Sequence, residues 1–107
     1  MASGILGTPT DLTADTLVTI YTCPPQTFTV ASISFCNRSE NNALIRLAIA
    51  ELDTPANPEW IEYDYTIGAH DILERTGLIL DAGKKLVVSS NIAEVNVCAY
   101  GIETQSN

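Results

Sequence analysis

The sequence predicts an all-β domain: an antiparallel β-sandwich, jelly-roll or immunoglobulin-like, of seven to eight strands behind an extended N-terminal arm. Three observations lead there. Runs rich in Val, Ile, Thr and Tyr recur roughly every ten residues, separated by Gly, Pro, Asn and Asp. Within most runs apolar residues alternate with polar ones, the period of a strand that buries one face. No stretch carries a strong helical stripe.

Residues 1–15 contain Gly4, Gly7, Pro9 and Asp11 and show no period, so they read as the arm, with room for a short edge strand. Ile5 and Leu6 are the apolar residues by which such an arm docks on its own core or on a neighbour. Residues 16–22 are β-branched and aromatic and form the first strand of the sandwich. Pro24 and Pro25 end it, because neither can donate to a ladder. Gln26 is the turn into a strand over 27–36. There Phe28 and Val30 share one parity while Ile33 and Phe35 share the other. That switch predicts a β-bulge near Ala31 and Ser32, or a strand buried on both faces.

A polar cluster over 37–42 is the next turn. Residues 43–50 place Ile45, Leu47 and Ile49 on one side and Arg46 on the other. A helix competes here, since Leu, Ala and Arg are good helix formers, but flanking strands leave it little to pack against. Pro55 and Pro58 mark a loop. Residues 60–66 alternate, with Ile61, Tyr63 and Tyr65 on one face and Trp60, Glu62 and Asp64 on the other. After a turn at 68–70, apolar segments at 71–75 and 78–80 flank Thr76 and Gly77. Residues 81–84 are a tight turn with Gly83 suited to positive φ. Strands over 86–90 and 94–103 close the domain. The expected organisation is therefore an arm at 1–15, a sandwich at 16–103 and a polar tail at 104–107.

Thirteen acidic residues oppose five basic ones, for a net charge of −8. That charge repels a phosphate backbone, whose binding rests on Lys and Arg displacing counterions, and equally an anionic membrane surface. Neither nucleic acid nor membrane is an expected partner. No apolar run approaches the ~18 residues of a bilayer span, and no secretory leader is expected. The chain is 46% hydrophobic and 17% charged. So apolar a composition in so short a chain suggests that part of its surface is covered by a partner, such as a second copy.

The inventory for chemistry is thin, and no enzyme, cofactor or metal centre is expected. His70 is the single histidine. It adjoins Asp71, but neighbours in extended chain point apart and no nucleophile elbow is present. It reads as a surface or structural residue. Cys23, Cys36 and Cys98 are odd in number and lack C-x-x-C spacing, so they read as free thiols of a reducing compartment, with a disulfide or a zinc site as alternatives. Glu62 and Asp64 share the polar face of their strand. They would suit glycoside hydrolysis or calcium only if that face were not simply the solvated one. Trp60, Tyr63 and Tyr65 are the candidate contact residues beside Ile5 and Leu6, either for a protein partner or as a carbohydrate platform. Asn37-Arg38-Ser39 matches a glycosylation sequon, which matters only in a secreted chain.

Two stretches carry a family resemblance. One is Tyr21-Thr22-Cys23-Pro24 followed by a Thr/Val/Ile-rich strand that ends at Cys36-Asn37. The other runs from Ile67-Gly68-Ala69-His70 through Leu73, Gly77 and Leu80-x-Ala82-Gly83 to Leu86-x-Val88-x-Ser90, with Val95-x-Val97 after it. The pattern resembles small accessory structural proteins of tailed bacteriophages, over about residues 16–103. The resemblance implies a virion component made in the host cytoplasm, foremost a capsid decoration (cement) protein. A neck, tail or fibre component and a carbohydrate-binding sandwich module are the alternatives. It implies as partners the major capsid protein or tail and neck proteins, and a homo-oligomer, for instance a trimer. It brings no catalytic residue.

Overall fold

A computed structural model describes residues 3–105. Eight strands follow in order: β1 (Ser3–Asp11), β2 (Val18–Thr22), β3 (Thr27–Asn37), β4 (Ala43–Ala50), β5 (Trp60–Ile67), β6 (Ile72–Leu80), β7 (Lys85–Ser90) and β8 (Val95–Gln105). The described helical content is one 3-10 turn, Asn57–Glu59. Residues 43–50 are a strand, so alternation outweighs their helix propensity.

The strands pair as a nested hairpin: β4 with β5, β3 with β6, β2 with β7 and β1 with β8, all antiparallel. Rolling that ribbon over places alternate pairs in opposite layers. Sheet I has the order β1-β8-β3-β6 and sheet II the order β2-β7-β4-β5. This is the jelly-roll layout of the two that the sequence predicts. The core between the sheets holds Ile33, Phe35, Ile45, Leu47, Leu80, Leu86, Val88, Val95 and Val97, all fully buried.

The segment expected as an arm docks on its own domain. β1 is a nine-residue edge strand of sheet I, and Leu6 and, just beyond it, Leu12 enter the core. Its ladder with β8 is interrupted between Leu6 and Thr10. There Gly7, at φ +68°, presses so closely on β2 that a Cβ would lie 2.3 Å from the Ile20 carbonyl oxygen. The glycines that blur the sequence period are thus what lets the strand cross between layers. At the other end, the expected polar tail begins inside β8, which continues through Gln105. Residues 106 and 107 lie outside the described residues.

The parity switch expected in β3 has a different cause. β3 keeps one parity throughout, with every odd residue from Thr27 to Asn37 buried, and its ladder with β8 is unbroken. Phe28 and Val30 simply face solvent. The extra residue lies on the neighbour β6, at Thr76–Gly77, where Gly77 has φ +72°. The segments at 71–75 and 78–80 are one bulged strand.

Bulges also shape both edges of sheet II. An extra residue near Ile20 turns both Ile20 and Tyr21 inward. β5 carries two irregularities, one at Tyr63–Asp64, where Asp64 has φ +55°. Bulged or glycine-interrupted edges resist strand addition by another chain.

Two buried polar knots fasten the ends of the sandwich. The fully buried Asn37 donates to the carbonyls of Asn41, Ile67 and Gly68 at 2.8–3.1 Å and accepts from the Ser39 backbone and hydroxyl. At the opposite end the Tyr21 hydroxyl meets Thr29 Oγ1 at 2.9 Å and donates to Glu103, while Cys23 Sγ lies 3.2 Å from Thr29 Oγ1. Tyr21 belongs to sheet II and its partners to sheet I, so the contact ties the layers together. Arg75 of β6 and Glu62 of β5 form a second tie, an ion pair across the open side.

Candidate functional site

The register places every outward side chain of sheet I. One cross-strand row reads Ile79 on β6, Val30 on β3 and Ile102 on β8. These are 62%, 45% and 58% exposed. Phe28 lies two residues along β3, and Ile5 of β1 pairs with Tyr100 in the next row. With Ile72 at the far end, six of the eleven large exposed hydrophobics among the described residues share this one face. The other outward positions on β3 and β8 are Ser32, Ser34, Cys36, Asn96, Cys98 and Thr104. The charged groups are confined to Glu74, which accepts a hydrogen bond from the Tyr100 hydroxyl, and to the Asp11–Arg38 pair at the rim. On a chain of net charge −8 this is a nearly neutral apolar surface. Strands about 4.8 Å apart, rising ~3.3 Å per residue over nine to eleven residues, give it roughly 600–700 Å².

Sheet II presents the opposite character. Its outer face carries a pocket of about 360 Å³ between the turn at Asp15, the strands β4 and β5, and the loop at Asn91. The bulge in β5 makes it. With strict alternation Trp60 and Tyr63 would face opposite ways, and Glu62 and Asp64 the same way. Instead Trp60 and Tyr63 meet edge to face, with ring centroids 5.4 Å apart. Asp64 turns outward to bond Arg46 through both carboxylate oxygens, at 2.7 and 3.1 Å. The Arg46 guanidinium lies 4.0 Å over the Tyr63 ring, a cation–π contact. Hydrogen bonding to Arg46 holds the Asp64 carboxyl below the usual aspartate range and raises the guanidinium in turn. Glu62 goes the other way, to Arg75.

The expected site residues therefore separate. Trp60 and Tyr63 come together. Tyr65 is exposed but pairs in register with the core residue Ile45, away from the pocket. Ile5 is exposed on sheet I, whereas Leu6 is core. Glu62 and Asp64 no longer form a pair. His70 sits exposed in a turn at φ +59°. The three thiols are free, Cys23 buried and Cys36 and Cys98 half-buried. Among the described residues no three His, Cys, Asp or Glu side chains converge as a metal site would need. The sequon asparagine, Asn37, is sealed in the core with its amide bonded, so it offers no nitrogen to a glycosyl donor.

Sequence reasoning missed Val30, Ile79 and Ile102 as surface, and Arg46, Asp15 and Asn91 as pocket residues. The parity of Phe28 and Val30 was the available signal, because a strand that keeps one parity must turn those two outward. Nothing local marks Asp15 or Asn91. No known family profile matches the chain, and no curated protein matches it as a relative.

Proposed function

We propose that this chain is a structural protein of a bacteriophage particle, foremost a capsid decoration protein, acting through protein contact and not through catalysis. The observation that carries the reading is the nearly neutral apolar outer face of sheet I. A standard interface buries about 800 Å² on each partner, and this face is close to that size. Its centre lacks the charged groups that interface cores also lack. Three copies that turn it toward a shared three-fold axis form a closed prism with an apolar interior, which removes the face from water on every copy. The acidic remainder of the surface then keeps the assembly soluble and available to other virion proteins, the major capsid protein first among them.

The phage assignment itself rests on the sequence pattern, and the structure gives that pattern a physical content. Tyr21, Cys23 and Asn37 are the buried knots, Gly77 is the bulge of β6, and Gly83 is the positive-φ turn before β7. Jelly rolls recur in viral capsid proteins and in lectins, an analogy of fold that names no function alone. Free thiols suit assembly in the reducing host cytoplasm. Neck, tail and fibre positions use the same kind of contact. Mass spectrometry of purified particles, with antibody labelling in the electron microscope, tests the proposal. Label over the shell is expected, label confined to the neck or tail selects those positions, and absence from the particle sinks the proposal.

A further inference from the structure

From the outer face of sheet II we infer a second, separate activity: the pocket beside Trp60 binds a neutral polyhydroxylated ring, a hexose or a hexose unit of a glycan. At about 360 Å³ it lies at the small end of ligand pockets, which span about 300–1,000 Å³. Its lining is amphipathic in the way a pyranose is. Trp60, Leu17 and Leu44 supply apolar surface for the C–H face of a ring. Asp15, Ser89 and Asn91 supply polar groups around it.

Those polar groups are held in place and still unused. Asn91 is fixed by two bonds to Leu44: its backbone N–H donates to the Leu44 carbonyl at 3.1 Å, and its side-chain oxygen accepts from the Leu44 N–H at 2.7 Å. That leaves the amide N–H₂ to donate into the pocket. Asp15 is anchored through its backbone N–H to Ser90 at 2.8 Å, at φ +57°. Neither its carboxylate nor the Ser89 hydroxyl has a hydrogen-bond partner among the described residues. Arg46 is immobilised between the Tyr63 ring and Asp64, yet a guanidinium has five N–H donors and these contacts use two. Fixed donors and acceptors lower the ordering cost of binding.

The charge pattern narrows the ligand. Asp15 and Asp64 flank one arginine that is already neutralised, within a protein of net charge −8. Phosphorylated, sulfated and sialylated ligands are therefore disfavoured, and the neutral polyol remains. This site is independent of the contact proposed for sheet I, because it lies on the opposite layer.

Trp60 is the chain's single tryptophan, so fluorescence excited at the red edge, where tyrosine does not absorb, reports on the pocket. The test titrates glucose, galactose, mannose and N-acetylglucosamine to about 100 mM, with glucose 6-phosphate and sialic acid as charged controls. At least one neutral sugar is expected to change the fluorescence saturably with a Kd on the order of 1 mM, the strength of a few hydrogen bonds and one stacked ring. Asp15→Asn and Ser89→Ala keep the reporter and the fold, and each should weaken binding by about tenfold or less. Val30→Glu on sheet I should leave it unchanged. The inference is overturned if none of the four sugars saturates the signal. It is equally overturned if the charged controls bind as well as the neutral ones, or if both pocket variants bind as tightly as the parent.

Discussion

The two outer faces of the sandwich share one plan, an unbroken central ladder flanked by irregular edges, and differ in how far an irregular edge disturbs the outward rows. On sheet I the central β3–β8 ladder runs without interruption over eleven residue pairs. Its outward side chains stand in even rows, and the rows are apolar and nearly free of charge. On sheet II the edge strand β5 is bulged twice. Its side chains swing out of alternation, beside a recess lined by Arg46, the carboxylates of Asp15 and Asp64 and the Trp60 ring. On sheet I the outward rows of the central strands stay in register and form a flat surface. On sheet II the doubly bulged edge strand β5 breaks the rows beside the pocket. One fold thus carries the proposed protein-contact face and the proposed small-ligand site on opposite layers.

Breaking the regular ladder should have the largest effect. Gly101 of β8 sits so close to β3 that a Cβ would lie 2.1 Å from the Val30 carbonyl oxygen, at φ +153°. Gly101→Ala should cost about 3 kcal/mol, combining a φ that only glycine adopts readily with a backbone clash. A fall in Tm of more than about 10 °C, read by circular dichroism, is expected.

The tie between the layers comes next. Burial, together with the hydrogen bond to Glu103, pushes the Tyr21 phenol well above the usual tyrosine value of about 10. A raised pKa in the folded state means the contribution is complete below about pH 10, where Tyr is protonated folded and unfolded alike. It is lost as pH climbs above that value, since unfolding then releases a proton. Tyr21→Phe should cost about 1 kcal/mol at neutral pH, from the lost hydrogen bonds, and should lose stability less steeply above about pH 10 in urea titrations. Tyr100 is raised as well, through its bond to Glu74, so the flattening should be partial.

The smallest effect is expected in the recess. Arg46→Gln should leave Tm nearly unchanged, because an exposed ion pair contributes little. It should let the Asp64 pKa, read by NMR, rise toward the ordinary aspartate value. The depressed pKa gives the parent a contribution that is present above the unfolded aspartate pKa and lost as pH falls through the folded one. The variant's acid limb should lack it.

The same contrast explains what the sequence made legible. Strand existence was readable nearly throughout, because alternation and turn residues are local signals: Pro24 and Pro25 end β2, Gln26 turns at φ +54°, and Gly83 turns at φ +84°. Layer assignment was readable where ladders are regular, as for Ile45 and Leu47. It failed where an extra residue sits in a strand. The bulge at Tyr63–Asp64 reversed the expected grouping of Trp60, Glu62 and Asp64, and the bulge at Thr76–Gly77 was placed on the wrong strand. A bulge depends on what the neighbouring strand demands, and that partner is distant in sequence. For the arm the sequence left room for an edge strand and for docking on its own core or on a neighbour, and which of these holds depends on β2, which presses on Gly7.

Sedimentation velocity of the full chain beside Val30→Glu tests the central claim most directly. The account predicts that the parent sediments as a closed oligomer, a trimer for the prism described above. It predicts that Val30→Glu, which sets an unpaired carboxylate in the middle of the apolar row, weakens association by about 100-fold and sediments as a folded monomer. A parent that stays monomeric at about 100 μM, where contacts far weaker than a standard interface already associate, would contradict it, as would a Val30→Glu protein with an unchanged sedimentation coefficient.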